Sequence, residues 1–423
     1  MSDILLINPR TELDISSRKF NREPPSGILI LCSVLKNLGY KVDFIDLSIE
    51  KEARLKILLR NKPSLIGITA LTNTFPLSIR ILKKIKELDP KLKTVIGGPH
   101  VSFQAEEALS IEEIDYVIIG EGEQSLPLLL NKLLKKNSVT NIPGVAYKEN
   151  NETFICNQSL PINLDEIPLP ARNVLKVKYE VADIIVNRGC PYQCSFCVRQ
   201  KLFQDVRIRN PKSVIDEIYQ VIEFNYEYFN LYDNINISNQ FVDKFCSEMI
   251  KNQVSLPWGC ELRIDLLSKE LASKLAKAGA IAIATGIESG SREVLQINNK
   301  NQDLELIRKG IYNAKQVKLS IQAYFIIGLP GETKETFQRT KEFINSINLE
   351  PGIDRINFFI ATPYPGSDLY QNQKKYGIDI IEKNFEFWDC EHIIFETNTL
   401  TKKEIKEMVL YGKQIEKIYA ERN

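Results

Sequence analysis

Cys190, Cys194 and Cys197 fall within the ten-residue stretch RGCPYQCSFC and account for three of the eight cysteines in this 423-residue chain. The other thiols, Cys32, Cys156, Cys246, Cys260 and Cys390, are scattered singly. The chain opens without a charged-then-apolar signal segment, so a cytoplasmic protein is expected and a secreted disulfide framework is not. Cys-x3-Cys-x2-Cys is tight enough to bring three thiolates to one metal centre. Structural zinc normally takes four protein ligands, and the only histidines, His100 and His392, are far away in sequence. An iron-sulfur cube takes one thiolate per iron, so three cysteines leave one iron open. The spacing favours the cluster, with zinc or an inert buried set of thiols as alternatives.

The whole chain sets bounds on partners. Lys and Arg total 55 against 54 Asp and Glu, without long basic blocks. This is not the electrostatic footprint of a nucleic-acid binder. No apolar run reaches the roughly 18 to 20 residues of a spanning helix. A soluble protein of two or three domains is expected, with no nucleic-acid or membrane partner.

The elements that position the cysteines come next. In the first 140 residues, DILLIN, KVDFID, SLIGITA, KTVIGG and DYVIIG read as strands buried on both faces, and amphipathic helical stretches lie between them. That alternation predicts a doubly wound parallel α/β sheet of the Rossmann or flavodoxin type, with ligands at the carboxyl ends of its strands. The loops there are NPR (8–10), TALTNT (69–74), GGPH (97–100) and GEGE (120–123). Residues 141–175 read as a hairpin turning at Asn150 and Asn151, followed by a proline-stiffened linker. From 176 to 375, DIIVNRG, FNLYDN, LPWGCEL, AIAIATGIES, LSIQAYFIIG and RINFFIAT alternate with helices. They predict an incomplete (β/α)6 barrel of the TIM type, with its chemistry at the C-terminal strand ends. The cysteines fall in the loop after its first strand. Residues 376–423 read as a small helical cap.

The cysteine spacing, its loop position and the barrel that follows resemble the radical S-adenosylmethionine enzymes. GIESGS (286–291) is similar to the family's fourth-strand segment, and FIIGLPGET (325–333) to its fifth. The resemblance implies a [4Fe-4S] cluster on Cys190, Cys194 and Cys197, whose open iron chelates S-adenosylmethionine. One-electron reduction then yields a 5'-deoxyadenosyl radical. It implies that Tyr192, Phe196, Glu261, Arg263, Glu288, Ser289, Gly328 and Pro330 surround that molecule, with Glu288 on the ribose hydroxyls. It also implies an external electron donor of the flavodoxin or ferredoxin type.

The N-terminal stretches PPSGILILCSVLKNLGYKVDFIDL, GGPHVSF and DYVIIGEGEQSLPLLL resemble the cobalamin-binding half of the class B methylases. That resemblance implies a corrin held by Thr69, Thr72, Thr74, Gly98, His100, Gly120, Glu121 and Gly122. The Asp-x-His-x-x-Gly signature is missing around His100, and a turn or corrin hydrogen bond suits that histidine better than cobalt ligation. The reading is a radical enzyme that methylates an unactivated carbon, or phosphorus, of a small molecule. A cobalamin-assisted cyclase or ring-rearrangement enzyme is the first alternative. A non-catalytic metal or electron-transfer protein is the second.

Overall fold

The computed structural model describes residues 2–9, 24–150 and 152–421; Arg10 and Asn151 lie outside the described residues. The chain divides into two compact units, 1–179 with 202–204, and 180–201 with 205–423.

The first unit is built on seven strands: β1 (Ile4–Asn8), β2 (Val42–Asp46), β3 (Leu65–Thr69), β4 (Lys93–Gly97), β5 (Tyr116–Ile118), β6 (Val145–Glu149) and β7 (Glu152–Ile155). Their order is β2-β1-β3-β4-β5-β6-β7. The first five are parallel, the doubly wound arrangement expected from continuous runs of Ile, Leu and Val. The 2-1-3-4-5 order places the switch point between β1 and β3. The hairpin expected within a connecting segment instead extends this sheet, since β6 pairs antiparallel with β5 through Tyr116↔Tyr147. A short β-hairpin gains stability only when a larger sheet or a helix supports it. Tyr147 stacks on Phe154 while its own face of β6 is buried in the core.

The second unit holds a six-stranded, all-parallel sheet ordered β15-β14-β13-β12-β11-β8. Its strands are β8 (Val181–Ile185), β11 (Tyr228–Asn234), β12 (Trp258–Glu261), β13 (Ala280–Glu288), β14 (Ser320–Ile327) and β15 (Arg355–Ile360). Between β8 and β11, the short β9 (Asn187–Arg188) pairs antiparallel with β10 (Arg207–Ile208). Five of the connecting helices are preceded by a polar residue whose side chain accepts a backbone N–H, at Asn210, Ser238, Ser268, Asp303 and Thr333. Phe229 and Trp258 stack on one another, with Phe245 of helix Asn239–Lys251 edge-on, so this face of the sheet is packed against helices. Tyr228 and Tyr324 lie three strands apart, about 14 Å on a flat sheet, yet Tyr324 is near enough to add to the raising of the Tyr228 phenol by burial and Cys260. The sheet therefore curves into a partial barrel.

The C-terminal region is more than a helical cap. It contains a hairpin of β16 (Ile378–Ile380) and β17 (Phe395–Thr397) around the buried Trp388. Helix Lys402–Ala420 follows, closed by the reciprocal Thr401–Glu404 capping box. Glu416 of that helix accepts the Phe358 N–H at 2.7 Å, covering part of the barrel's outer edge strand.

Candidate active site

The cysteine loop is held at both ends and in its middle. At its entry Gly189 has φ +80°, and a Cβ there would stand 2.2 Å from the Asp205 carbonyl oxygen, so only glycine fits. At its exit Arg199 ion-pairs with Asp233 at the end of β11 and donates to Asn187 Oδ1 (3.2 Å) and to the Gly189 carbonyl (3.4 Å). In the middle Ser195 is fully buried. Its N–H donates to the Asn298 carbonyl (3.0 Å), its hydroxyl to Asn298 Oδ1 (2.8 Å), and its own carbonyl accepts the Leu369 N–H (3.0 Å). The Asn298 amide donates onward to the carbonyls of Val294 and Pro330, each at 2.9 Å. One buried asparagine thus joins the cysteine loop, the segment after β13 and the Gly328–Pro330 turn after β14.

The three thiols are free, half-buried and close enough to influence one another. Burial pushes Cys194 up to about 11, with the Lys300 ammonium pulling the other way. Cys197 is raised as well, again chiefly by burial. Among the described residues no group of three His, Cys, Asp or Glu side chains meets at a single metal-ion site. A cluster takes one thiolate per iron, so its ligands need not converge on one point. Three soft donors from one constrained loop, with cationic side chains nearby, fit such a cluster.

Beside the thiols lies a buried ion pair that the sequence reading missed. Lys300 Nζ stands 2.7 Å from Glu288 Oε1; the Glu288 side chain is buried and that of Lys300 nearly so. Desolvation pulls the lysine down, but Glu288 and then Cys194 more than offset it and hold it raised and charged. Glu288 ends β13 at φ +66°. A Cβ on Gly286 would stand 2.1 Å from the Glu288 carboxylate, so that glycine makes room for the pair. Opposite, the Arg263 guanidinium lies 4.2 Å from the Tyr192 ring centroid, and Asp265 accepts from it twice, at 3.1 and 2.8 Å.

The remaining candidates separate. Gly328 has φ +84° and donates its N–H to Glu332 at 2.6 Å. Ser289 turns away, its hydroxyl lying 3.3 Å from Thr340 and accepting the Ser291 N–H at 3.1 Å. Phe196 packs with Leu369, Trp388 and Leu329 in a hydrophobic cluster. Glu261 lies inside the barrel near Tyr232.

In the first unit, the loops after β3, β4 and β5 lie together at the carboxyl ends of the strands. Leu71 is 53% exposed there. Gly98 is at φ +110°, where a Cβ would stand 2.6 Å from the Ala70 carbonyl oxygen, and Gly120 is at φ +73°. Glu121 and Gly122 begin helix Gly122–Leu134. An exposed apolar side chain beside bare backbone suits a broad, flat ligand with amide edges, and the corrin fits this description. The hydroxyls are less available than expected. Thr74 Oγ1 accepts the Leu71 N–H at 2.9 Å, Thr72 Oγ1 lies 3.3 Å from His100 Nδ1, and Thr69 Oγ1 is folded against Gly98. The His100 ring is buried against Phe75 with centroids 4.3 Å apart, and burial pushes it down to about 4, so it is neutral at pH 7.

Two family models match in this order, the B12 binding domain over residues 20–130 and the Radical SAM superfamily over residues 184–344. The chain is 31% identical over 410 residues to an anaerobic magnesium-protoporphyrin IX monomethyl ester cyclase of Rubrivivax gelatinosus, covering 92% of this chain and 72% of that protein. It is 30% identical over 393 residues to an uncharacterised methyltransferase of Pyrococcus horikoshii, covering 87% and 82%. This chain belongs to the cobalamin-dependent radical S-adenosylmethionine enzymes. The fold agrees with the solved methyltransferase TsrM of Kitasatospora setae, with a TM-score of 0.73 at 17% identity over 90% of this chain and 78% of that one. As a member of this family the enzyme uses a [4Fe-4S] cluster, S-adenosylmethionine and cobalamin. No helix among the described residues is long and apolar enough to cross a membrane.

Proposed function

We propose that this enzyme transfers a methyl group to an unactivated carbon, or phosphorus, of a small molecule. The observation that carries the proposal is the pairing, in one chain, of a cobalamin-binding unit with a three-cysteine barrel. When bound, the cluster and S-adenosylmethionine supply an adenosyl radical and the cobalamin a transferable methyl group. The chain's own residues hold and enclose these groups. Cys190, Cys194 and Cys197 ligate the cluster. Lys300 and Glu288 present a cation and an anion to the zwitterionic end and the ribose of S-adenosylmethionine. Tyr192, braced by Arg263, and the Gly328–Pro330 turn flank its adenine. The exposed Leu71 and the glycine turns at Gly98 and Gly120 support the corrin, and the electron comes from a flavodoxin- or ferredoxin-type donor.

Cyclisation is the second reading, supported by 31% identity to the cyclase. Anaerobic reconstitution with iron, sulfide, cobalamin and S-adenosylmethionine, followed by mass spectrometry, separates the two. Methylation releases 5'-deoxyadenosine together with S-adenosylhomocysteine; cyclisation releases 5'-deoxyadenosine alone. Cys194→Ala abolishes the cluster and both products. Turnover by that variant at the wild-type rate overturns the reading.

A further inference from the structure

Residues 298–302, Asn-Asn-Lys-Asn-Gln, join helix Arg292–Ile297 to helix Leu304–Gln316 and belong to no strand, yet their burial alternates. Asn298 and Gln302 are buried and Lys300 nearly so, whereas Asn299 and Asn301 are exposed. Asn299 (φ +52°) and Asn301 (φ +46°) both take the left-handed conformation, which asparagine tolerates better than most residues. Two of the three inward residues already have a place at the site, Asn298 on Ser195 and Lys300 on Glu288 beside Cys194. Gln302 is the third.

Gln302 stands behind Arg263. Its Nε2 donates to Asp265 Oδ1 at 3.1 Å, and the neighbouring Asn301 carbonyl accepts from Arg263 Nη2 at 3.1 Å. Asp265 in turn accepts from Nε and Nη2 of Arg263, whose guanidinium lies over the ring of Tyr192, between Cys190 and Cys194 in the sequence. The root of the Arg263 side chain is fixed without Gln302: its N–H donates to Asn236 Oδ1 (3.1 Å), and its carbonyl accepts from Asn236 Nδ2 (2.9 Å). What Gln302 adds is the orientation of the Asp265 carboxylate, and a carboxylate held in plane fixes the planar guanidinium that it binds twice. Arg263 is near enough to Lys300 to repel it, while Glu288 and Asp265 balance the two cations. A neutral donor at 302 holds Asp265 without adding a third.

Gln302 is a poor choice for stability alone. A carboxylate only accepts, so the amide nitrogen must face Asp265. That leaves Gln302 Oε1 buried, without a hydrogen-bond partner among the described residues. An unpaired buried acceptor offsets much of what the Nε2 bond contributes, whereas an apolar side chain of similar shape carries no such cost.

We infer that Gln302 is a positioning residue for S-adenosylmethionine: through Asp265 it fixes the Arg263 guanidinium, and with it the face that Tyr192 of the cysteine loop presents to the adenine. This role rests on the proposed function, which sets Tyr192 and Arg263 beside the adenine.

The test is equilibrium dialysis of labelled S-adenosylmethionine against the anaerobically reconstituted enzyme, as parent, Gln302→Met, Tyr192→Leu and the double variant. Tyr192 is only half-buried, so its replacement leaves the fold intact. Gln302→Met should weaken binding by about fivefold to tenfold, but by less than about twofold once Tyr192 is replaced. Its iron and sulfide content should match the parent's, and its melting temperature should stay within about 3 °C. Electron paramagnetic resonance of the reduced cluster gives a second readout: the signal without ligand should be unchanged, and the S-adenosylmethionine concentration that alters it should rise by the same factor. Unchanged affinity in Gln302→Met, an equal loss in the Tyr192→Leu background, or a loss that comes with a lower iron content or a larger drop in melting temperature overturns the inference. Tyr192→Leu tells which reading has failed. If that variant binds as the parent does, the placing of Tyr192 at the adenine falls too; if it binds more weakly, only the role of Gln302 falls.

Discussion

Replacing Lys300 by methionine tests the central electrostatic element of the site. The methionine keeps most of the side-chain volume and removes the charge. The ammonium and the Glu288 carboxylate lie 2.7 Å apart, with the carboxylate buried and the lysine nearly so. At an effective dielectric of about 20 their attraction is about 6 kcal/mol. Desolvation of both groups offsets much of this, so the pair contributes less to net stability than the attraction alone. Removing one partner is another matter, because it leaves the carboxylate buried beside three thiols; such losses cost about 3–5 kcal/mol. Lys300→Met should therefore lower stability by about 3–5 kcal/mol, measured by anaerobic urea unfolding, and Glu288→Gln/Lys300→Met should recover most of it. Equilibrium dialysis with labelled S-adenosylmethionine should show both variants binding much more weakly than the parent, since stability returns in the double variant but the ligand's partners do not. A single variant as stable as the parent, or a double variant that recovers nothing, would refute the assignment of a buried, charged pair.

Other expectations follow from the same geometry. Gly259→Ala would place a Cβ 2.0 Å from Tyr228 Oη; it should cost about 1–3 kcal/mol in unfolding experiments, and adding Tyr228→Phe should relieve part of that cost. Burial lifts Glu332 to about 8, so between about pH 4.3 and 8 the folded chain keeps a proton that the unfolded chain has lost, and stability falls as pH rises through that window. Thermal melts should show this slope reduced in Glu332→Gln; an unchanged slope would place its origin elsewhere. Asn298→Ala removes the side chain that joins Ser195 to the Pro330 turn; it should cost about 2–3 kcal/mol and reduce the iron and sulfide content of purified protein.

The sequence was most informative where a pattern and a physical need coincided. Uninterrupted Ile, Leu and Val marked the strands of the first sheet because both faces are buried, and the cysteine spacing marked a constrained loop that holds three thiols near one another. Lys300 escaped because it sits in Asn-Asn-Lys after a short helix, where a lysine is ordinarily solvated; only the return of that segment toward the cysteine loop buries it. Asn298 escaped for the same reason. Thr72 and Thr74 were read as ligands because they lie in a strand-end loop, but short polar side chains in such loops also satisfy nearby polar groups, as these two do. The inward row of β11 was legible in retrospect. In YFNLYDN the apolar Phe229 and Leu231 alternate with Tyr228, Asn230 and Tyr232, a period of two that assigns the polar set to one face.

The charges on this barrel divide into two groups with different tasks. At the rim, carboxylates are matched with cations: Asp233 with Arg199, Asp265 with Arg263, Glu288 with Lys300. Each carboxylate is buried at a loop end beside the cysteine segment, so altering its cation leaves a buried charge without its counter-ion. Such a surface resists change and suits cofactors whose shape and charge do not vary. Away from the rim, Asp183 lies beside Asn230, and both Asp183 and Glu261 act on the Tyr232 phenol. The similarity to relatives named as a cyclase and as a methyltransferase extends over 92% and 87% of this chain, so paired charges that serve the fold do not by themselves distinguish the two reactions.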